Sequence, residues 1–245
     1  KKLMLNAGLR LENHSEYGGE TVPQVGFAFH VAPTTTLKGS VSKGFRSPTL
    51  RELYLWAPAN PDLEPERMWN YEVGVIQSLA GNRLSLGVTG FLSEGKNLIQ
   101  IAGQYPDVKH WNTGEFSHRG LELQGNCMVS ENLRFNANYS YLDMEEPVIS
   151  SPEHQFFLEG RYAYGMFNLS AKVQYIGNVY TDVLSNPRKS QDYTLLNTKL
   201  TIRLTKVLDV FVTGKNLLNQ TYEIMDGYPM PGMTVFAGIN LRSPA

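Results

Sequence analysis

The sequence lacks the features on which several classes of protein depend. It has a single cysteine, Cys127, so no intrachain disulfide can hold a small secreted scaffold together. No stretch approaches the run of about 18 apolar residues that a membrane-spanning helix needs. The formal net charge is -1, which argues against the basic surface that nucleic-acid binding requires.

The residues that metal or catalytic chemistry needs are scattered. The five histidines (His14, His30, His110, His118 and His154) lie in different segments without ligand spacing. Met225, Met230 and Met233 would suit copper, but packing within a loop explains such a cluster more simply. We therefore predict no metal, no cofactor and no enzymatic activity.

What the sequence has in abundance is alternation between apolar and polar residues. In LRFNANYSYL, residues 133–142, Leu133, Phe135 and Tyr139 point to one side of an extended chain, and Arg134 and Asn136 to the other. The same period of two predicts an all-β chain of twelve strands. Their ranges are 3–11, 25–31, 35–45, 68–79, 83–95, 116–129, 133–143, 154–164, 167–177, 193–204, 207–216 and 232–242.

Strand length and connection length together favour a membrane barrel. Most segments run for about ten to fourteen residues, whereas strands of soluble sheets usually have about 5 to 6 and tilted membrane strands about 9 to 11. Long and short connections alternate along the whole chain, as in an outer-membrane barrel with tight periplasmic turns and long extracellular loops. We predict a transmembrane antiparallel up-and-down β-barrel, with a soluble β-sandwich or jelly roll as the alternative.

Charged residues follow the same division. A cation facing the middle of a bilayer would cost about 2 to 4 kcal/mol, and the apolar sides of the segments carry almost none. Lys43 is the exception, at the loop end of its segment. The cations on the opposite sides are Arg10, Arg134, Arg161, Lys172, Lys199, Arg203 and Arg242.

Two segments resemble the most recognisable part of a known family. SKGFRSPTLRELY (42–54) and NPDLEPERMWNYEVG (60–74) are similar to motifs of TonB-dependent outer-membrane receptors, and GLELQG, NYSYLD, GKNLLNQTY and YPMPGMTVFAGINL follow in the family's order. The motif residues are Gly44, Phe45, Arg46 and Pro48, then Asn60, Pro61, Leu63, Pro65 and Glu66. The resemblance implies that residues 1–245 form one domain, the C-terminal half of a 22-stranded barrel, without the N-terminal plug domain.

The loop between these motifs can also be interpreted from its residues. Pro48 should end its strand, and the prolines that follow should keep residues 55–66 from pairing. We consider two interpretations: Arg46, Arg51 and Glu52 position the loop over the pore, or the loop is solvated and carries a surface ion pair. Asp62, Glu64 and Glu66 could form a cation site, although solvated carboxylates are the simpler interpretation.

The resemblance also implies a function. It predicts uptake of a ferric siderophore, or of cobalamin or haem, across the outer membrane of a Gram-negative bacterium. The partners would be the lipid bilayer, the small nutrient and a TonB-type energy-coupling protein reached through the missing N-terminal region. Lumen residues Arg134, Lys172, Lys199 and Arg203 would face the plug. The alternatives are an outer-membrane barrel hydrolase that uses His118 or His154 with a serine, and a soluble binding module.

Aromatic residues of the long loops are the candidate ligand contacts, because their rings bury area while keeping a polar group. An aromatic girdle at the membrane interface explains the same residues equally well. The candidates are Tyr54, Trp56, Tyr105, Trp111, Tyr180 and Tyr228.

Overall fold

Twelve strands dominate the fold. The computed structural model describes residues 2–103, 108–183 and 185–241, and its strands form one sheet in which they are ordered as in the chain. This order confirms the predicted number and succession of strands. They are β1 (Leu3–His14), β2 (Gly18–Ala32), β3 (Thr35–Arg46), β4 (Glu66–Leu79), β5 (Leu84–Ala102), β6 (Lys109–Met128), β7 (Leu133–Met144), β8 (Pro152–Tyr164), β9 (Phe167–Asp182), β10 (Lys189–Arg203), β11 (Leu208–Lys215) and β12 (Thr234–Leu241).

In the part of the chain that the structure describes, one helix lies between β3 and β4. This helix, α1 (Leu50–Leu53), has four residues. Among the described residues, no helix has the length and apolarity needed to cross a membrane.

The chain divides into two compact units. Unit 1 comprises Lys1–Val75, Thr89–Gly120 and Asp143–Glu146, and unit 2 comprises Ile76–Val88, Leu121–Leu142 and Pro147–Ala245. In unit 1, β1 pairs antiparallel with β2, and β2 with β3. In unit 2, successive strands from β7 to β12 pair antiparallel in the same way.

The apolar sides of the strands are exposed. Leu5 is 72% exposed and Leu11 71% exposed, and the same holds for many large apolar residues along the other strands. Among the described residues, the buried hydrophobic set consists of Leu53, Leu63, Ile176 and Val179. A water-soluble protein would lose about 1.5 to 3 kcal/mol for each large apolar side chain left in water. The soluble sandwich is therefore wrong, because its apolar residues would be sealed between two sheets.

Aromatic residues mark both ends of the apolar face in unit 2. Tyr139 and Tyr141 lie against His154 at one end, with ring centroids 6.2 and 5.1 Å from the histidine ring. Tyr162 and Tyr164 stack at the other end with centroids 6.3 Å apart. At about 3.3 Å per residue and a tilt of about 40°, His154 and Tyr164 would be about 25 Å apart along a membrane normal. This separation is typical of the two aromatic girdles of an outer-membrane barrel.

Strand glycines make room for phenylalanine rings on the neighbouring strand. Phe27 pairs with Gly39, and a ring carbon would lie 2.6 Å from a Cβ added there. Phe135 pairs with Gly160 in the same way, with a distance of 3.0 Å. At both positions the phenylalanine ring covers the glycine of the neighbouring strand.

Candidate functional site

The candidate site of unit 1 begins where β3 ends, at Arg46. The Arg46 guanidinium donates two hydrogen bonds to the Glu66 carboxylate, from Nε and Nη2, both 2.6 Å long. It donates two more to Glu52, of 3.1 and 3.2 Å. Bidentate arginine–carboxylate pairs combine charge with fixed geometry, so Arg46 ties the start of the connection to its end at β4.

Helix α1 is held by the same carboxylate. Thr49 is the N-cap: its hydroxyl accepts a bond from the Glu52 N–H, and its own N–H donates to the Glu52 carboxylate at 2.7 Å. Burial by itself would raise the pKa of the Glu52 carboxyl, but hydrogen bonds from Arg46 and Thr49 outweigh it and lower that pKa below its ordinary value. In its ionised form, Glu52 therefore stabilises both the cap of α1 and the ion pair with Arg46.

The rest of the connection is packed rather than solvated. Leu63 and Pro65 are buried, and the buried Asn60 donates a 2.8 Å hydrogen bond from Nδ2 to the backbone carbonyl of His110. Asn112 of β6 accepts from the Glu64 N–H and donates to the Glu64 carbonyl, both at 2.8 Å. Asn60 and Glu64 thus bond this connection to β6, while its ion pairs at Arg46 remain partly exposed.

Two of the three carboxylates that suggested a cation site are paired with arginines. Glu66 binds Arg46, and Glu64 lies 3.1 Å from Arg67. The Asp62 N–H donates to the Asn60 side chain. No group of three or more His, Cys, Asp or Glu side chains suited to a metal ion occurs in residues 2–103, 108–183 and 185–241.

A second ion cluster explains the lysine that broke the charge pattern. Glu20 is buried and lies 2.6 Å from Arg67 and 3.2 Å from Lys43. Phe45, a motif residue two positions after Lys43, lies beside Tyr17. The Arg10 guanidinium lies over the Phe45 ring. Arg10 is on the polar side of β1, so Lys43 and Phe45 turn towards polar partners at the end of β3.

The predicted aromatic contacts of unit 1 differ in their surroundings. Trp56 is 79% exposed and has a positive φ of 59°, which is uncommon for a bulky residue. Tyr54 is exposed, and its hydroxyl donates a 2.7 Å bond to Glu16. Leu50 and Leu55 are exposed beside them, so the segment Leu50–Trp56 presents an apolar tip. Trp111 is exposed but lies within β6, not in a loop.

The two aromatic candidates of unit 2 also differ. Tyr228 is exposed in the connection after β11. Tyr180 lies within β9 and donates a 3.4 Å hydrogen bond to Glu153. The sixth candidate, Tyr105, is outside the described residues.

Sequence reasoning missed the residue that organises the connection between β11 and β12. Asn216 is buried and has a positive φ of 49°. Its Nδ2 donates to the carbonyls of Gln220 and Pro231, at 2.9 and 3.1 Å, and its Oδ1 accepts from the Gln220 N–H at 2.9 Å. The motif GKNLLNQTY contains this asparagine, and the preference of asparagine for such turns was the available signal.

The predicted lumen cations lie on the polar face of unit 2. Arg134 pairs with Arg161 across β7 and β8, and Lys199 of β10 pairs with Ser170 of β9. Lys172 lies 3.4 Å from the buried Glu159, which also binds Arg161 at 2.9 Å. Arg203 lies 3.8 Å from the buried Asp209. The structure therefore places all four predicted residues on one face.

The two histidines of the hydrolase alternative lie beside aromatic residues. His154 Nδ1 lies 2.9 Å from the Tyr139 hydroxyl. The His118 ring is tilted by 39° against Phe116, with centroids 4.6 Å apart, and its Nε2 is unpaired within the described residues. In the part of the chain that the structure describes, no hydrogen bond joins either histidine to a serine.

Comparison with known proteins agrees with this architecture. The family model described as "TonB dependent receptor-like, beta-barrel" matches residues 1–217. The chain is 25% identical to an iron-regulated outer membrane virulence protein of Vibrio cholerae over 280 residues, covering 98% of this chain and 42% of that protein. It is also 25% identical over 241 residues to a vitamin B12 transporter, BtuB, of Photobacterium profundum, covering 94% of this chain and 39% of that protein.

A solved structure extends the likeness to the fold. A mutant of the ferric enterobactin receptor PfeA of Pseudomonas aeruginosa, in complex with enterobactin, matches with a TM-score of 0.82 at 19% identity, covering 98% of this chain and 43% of that one. The chain thus spans about two fifths of the length of these relatives. Its strands, its motif residues and the match over residues 1–217 lead to one conclusion: the chain belongs to the family of TonB-dependent receptor β-barrels.

Proposed function

We propose that this chain is the C-terminal part of the barrel of an outer-membrane receptor that takes up a large, scarce nutrient. A ferric siderophore is the first candidate, and cobalamin and haem are the others. The observation that carries the proposal is the exposed apolar side of the strands within a family of receptor barrels. The names of the relatives, one iron-regulated and one a vitamin B12 transporter, support the same nutrient classes.

The proposal places the protein in the outer membrane of a Gram-negative bacterium. The lipid bilayer would contact the apolar face, and the polar face would line a lumen filled by an N-terminal plug domain. A TonB-type energy-coupling protein would act through that N-terminal region. The ion-paired connection from Arg46 to Glu66 would then present the apolar tip Leu50–Trp56 to the nutrient.

The apolar tip is the part of the proposal that a binding experiment can test directly. Trp56 is largely exposed, and the ion pairs of Arg46 hold the helix that precedes it. Stacking against a ligand is worth about 0.5 to 1.5 kcal/mol beyond burial. We therefore expect Trp56→Ala to weaken nutrient binding about tenfold, since 1.4 kcal/mol is tenfold in affinity.

Binding is measured with the detergent-solubilised receptor against ferric catecholate and hydroxamate siderophores, cobalamin and haem. Tyr164→Ala is the matched control, because Tyr164 is a similarly exposed aromatic residue that lies at the C-terminal end of β8, away from the long connections. Growth of a receptor-deleted strain under iron or cobalamin limitation then tests uptake. Absence of binding to every nutrient, or of growth rescue, would count against the proposed function.

A further inference from the structure

The segments that meet at the apolar tip Leu50–Trp56 carry more acids than cations. They are residues 12–20 of unit 1, which are bonded to the tip through Glu16, and residues 43–67, which contain it. The acids are Glu12, Glu16, Glu20, Glu52, Asp62, Glu64 and Glu66, and the cations are Lys43, Arg46, Arg51 and Arg67. An excess of negative charge favours the approach of cations over that of anions.

Three of these four cations are already held by carboxylates. Arg46 donates four hydrogen bonds to two carboxylates, out of the five N–H groups that a guanidinium has. Lys43 and Arg67 both bind the buried Glu20. Arg51 is exposed, and no carboxylate pairs with it within the described part of the chain. An anion at the apolar tip would therefore find one free arginine and no cluster of cations.

Glu16 brings a carboxylate to the apolar tip. The Tyr54 hydroxyl donates a 2.7 Å hydrogen bond to this carboxylate, and the bond raises the pKa of Tyr54 above its ordinary value. Tyr54 therefore stays protonated. A carboxylate that accepts one hydrogen bond keeps positions for further donors, and because Glu16 is exposed, such a donor can approach it from solution.

Two aromatic rings accompany this carboxylate. Tyr54 is 51% exposed and Trp56 79% exposed, and because they are two positions apart, their Cα atoms lie within about 7 Å of each other. A cation within about 6 Å of a ring centre is attracted to the face of the ring, most strongly in tryptophan. Exposed aromatic rings beside a carboxylate therefore suit an ammonium group, which gains from both the rings and the negative charge.

We infer that the apolar tip and Glu16 recognise an ammonium group of the nutrient, so that the receptor prefers nutrients that carry such a group over anionic ones. The ammonium group would lie on the Trp56 ring and donate to the Glu16 carboxylate, while uncharged parts of the nutrient pack on Leu50 and Leu55. This inference rests on the proposed function and narrows it. Among iron complexes it favours hydroxamates that carry a free amine over ferric catecholates, which are anions.

Two pairs of probes that differ by one charge test the inference. The first pair is ferrioxamine B, a ferric trihydroxamate with a terminal amine, and the same complex acetylated at that amine. The second pair is cobalamin with an amine linked to its ribose, and the acetylated form of that compound. Binding to the detergent-solubilised complete receptor is measured at about pH 7, where alkyl amines are protonated.

We expect the amine form of the pair that binds to have an affinity about tenfold higher than its acetylated form. A cation–π contact and an exposed ion pair together reach about that factor. The ratio of the two affinities should fall in about 1 M salt, where charges are screened beyond about 3 Å.

Three variants assign the preference to named side chains. Glu16→Gln removes the charge but can still accept the hydrogen bond from Tyr54, so the affinity ratio should fall about threefold while the acetylated form binds as before. Trp56→Leu keeps an apolar side chain without an aromatic ring and should also lower the ratio. Glu94→Gln is the matched control, because it makes the same change at an exposed glutamate of β5 and should leave the ratio unchanged.

The failure of the inference can be told apart from the failure of the proposed function. If the receptor binds the two members of a pair equally, or binds only ferric catecholate or haem and loses that binding in Arg51→Gln, the inference is overturned and the proposed function stands. An affinity ratio that is the same in Glu16→Gln as in the wild type also overturns it, because the preference then comes from other residues. If the receptor binds none of the probes and transports no nutrient, both proposals fail.

Discussion

Replacing Arg46 by glutamine should release the connection between β3 and β4. The substitution removes four charge-assisted hydrogen bonds and leaves the carboxylates of Glu52 and Glu66 close together without their cation. Charged hydrogen bonds contribute about 1.5 to 3 kcal/mol each when shielded, and exposed ion pairs about 0.2 to 1 kcal/mol. The Arg46 side chain is 45% exposed and each carboxylate 16% exposed, so we take about 1 kcal/mol per carboxylate.

The expected loss is therefore about 2 kcal/mol, which corresponds to about a thirtyfold change in a local opening equilibrium. Amide hydrogen exchange measures that equilibrium. The Leu53 N–H donates to the Thr49 carbonyl at 3.0 Å, and the Tyr54 N–H donates to the Leu50 carbonyl at 2.9 Å. Exchange of these two amides should rise about thirtyfold in Arg46→Gln if opening of α1 limits their exchange.

Two further variants separate the ion pairs from other effects. Arg46→Lys keeps the charge but not the bidentate geometry, so exchange should be intermediate. Arg51→Gln removes an exposed arginine of α1 and should leave exchange unchanged. If Arg46→Gln behaves like Arg51→Gln, the buried residues Leu63 and Pro65 hold this connection, and the reasoning from ion pairs is refuted.

Three more predictions follow from described contacts. The pKa of Glu52 is lowered in the folded protein, so the stabilisation that its carboxylate gives to α1 is complete above pH 4.5 and is lost as pH falls through the lower folded pKa. Exchange of the Leu53 amide, corrected for its intrinsic rate, should therefore rise at that low pH in the wild type. Glu52→Gln should show no such rise. Asn216→Ala should lower the free energy of unfolding by about 2 to 4 kcal/mol, because three hydrogen bonds and a tolerant positive φ are lost. In urea unfolding, Asn216→Gly should be about 1 kcal/mol more stable than Asn216→Ala, because glycine tolerates the positive φ. Unfolding midpoints equal to that of the wild type in both variants would contradict the role of Asn216. Gly39→Ala should lower the free energy of unfolding by about 1 to 2 kcal/mol, because the added methyl group displaces the Phe27 ring. If the same loss is measured in a Phe27→Ala background, the contact is disproved.

Much of the fold could be predicted because a period of two is a local signal. The alternation in β1 and β7 identifies both the strands and their apolar side. The antiparallel pairing follows from the short turns between consecutive strands. The prediction was wrong at the outer ends of β5, β6 and β9. There the regular alternation of apolar and polar residues stops although the strands continue, and Trp111 and Tyr180 lie in strands rather than loops.

The candidate site was less predictable because its contacts join distant residues. Arg46 and Glu66 are separated by the whole connection, and Asn112 that clamps Glu64 comes from a later strand. No local pattern indicates such pairs. The helix cap is different, since threonine followed three residues later by glutamate is a local signature, and Thr49 with Glu52 could have been recognised from the sequence alone.

The exposed apolar side of the strands also bears on how this protein can diverge. A side chain that contacts fluid hydrocarbon needs only to be apolar, whereas a side chain in a packed interior must match the shape of its neighbours. Leucine, valine, isoleucine and phenylalanine are then nearly interchangeable over most of the outer surface. Such freedom agrees with a fold match at a TM-score of 0.82 with only 19% sequence identity.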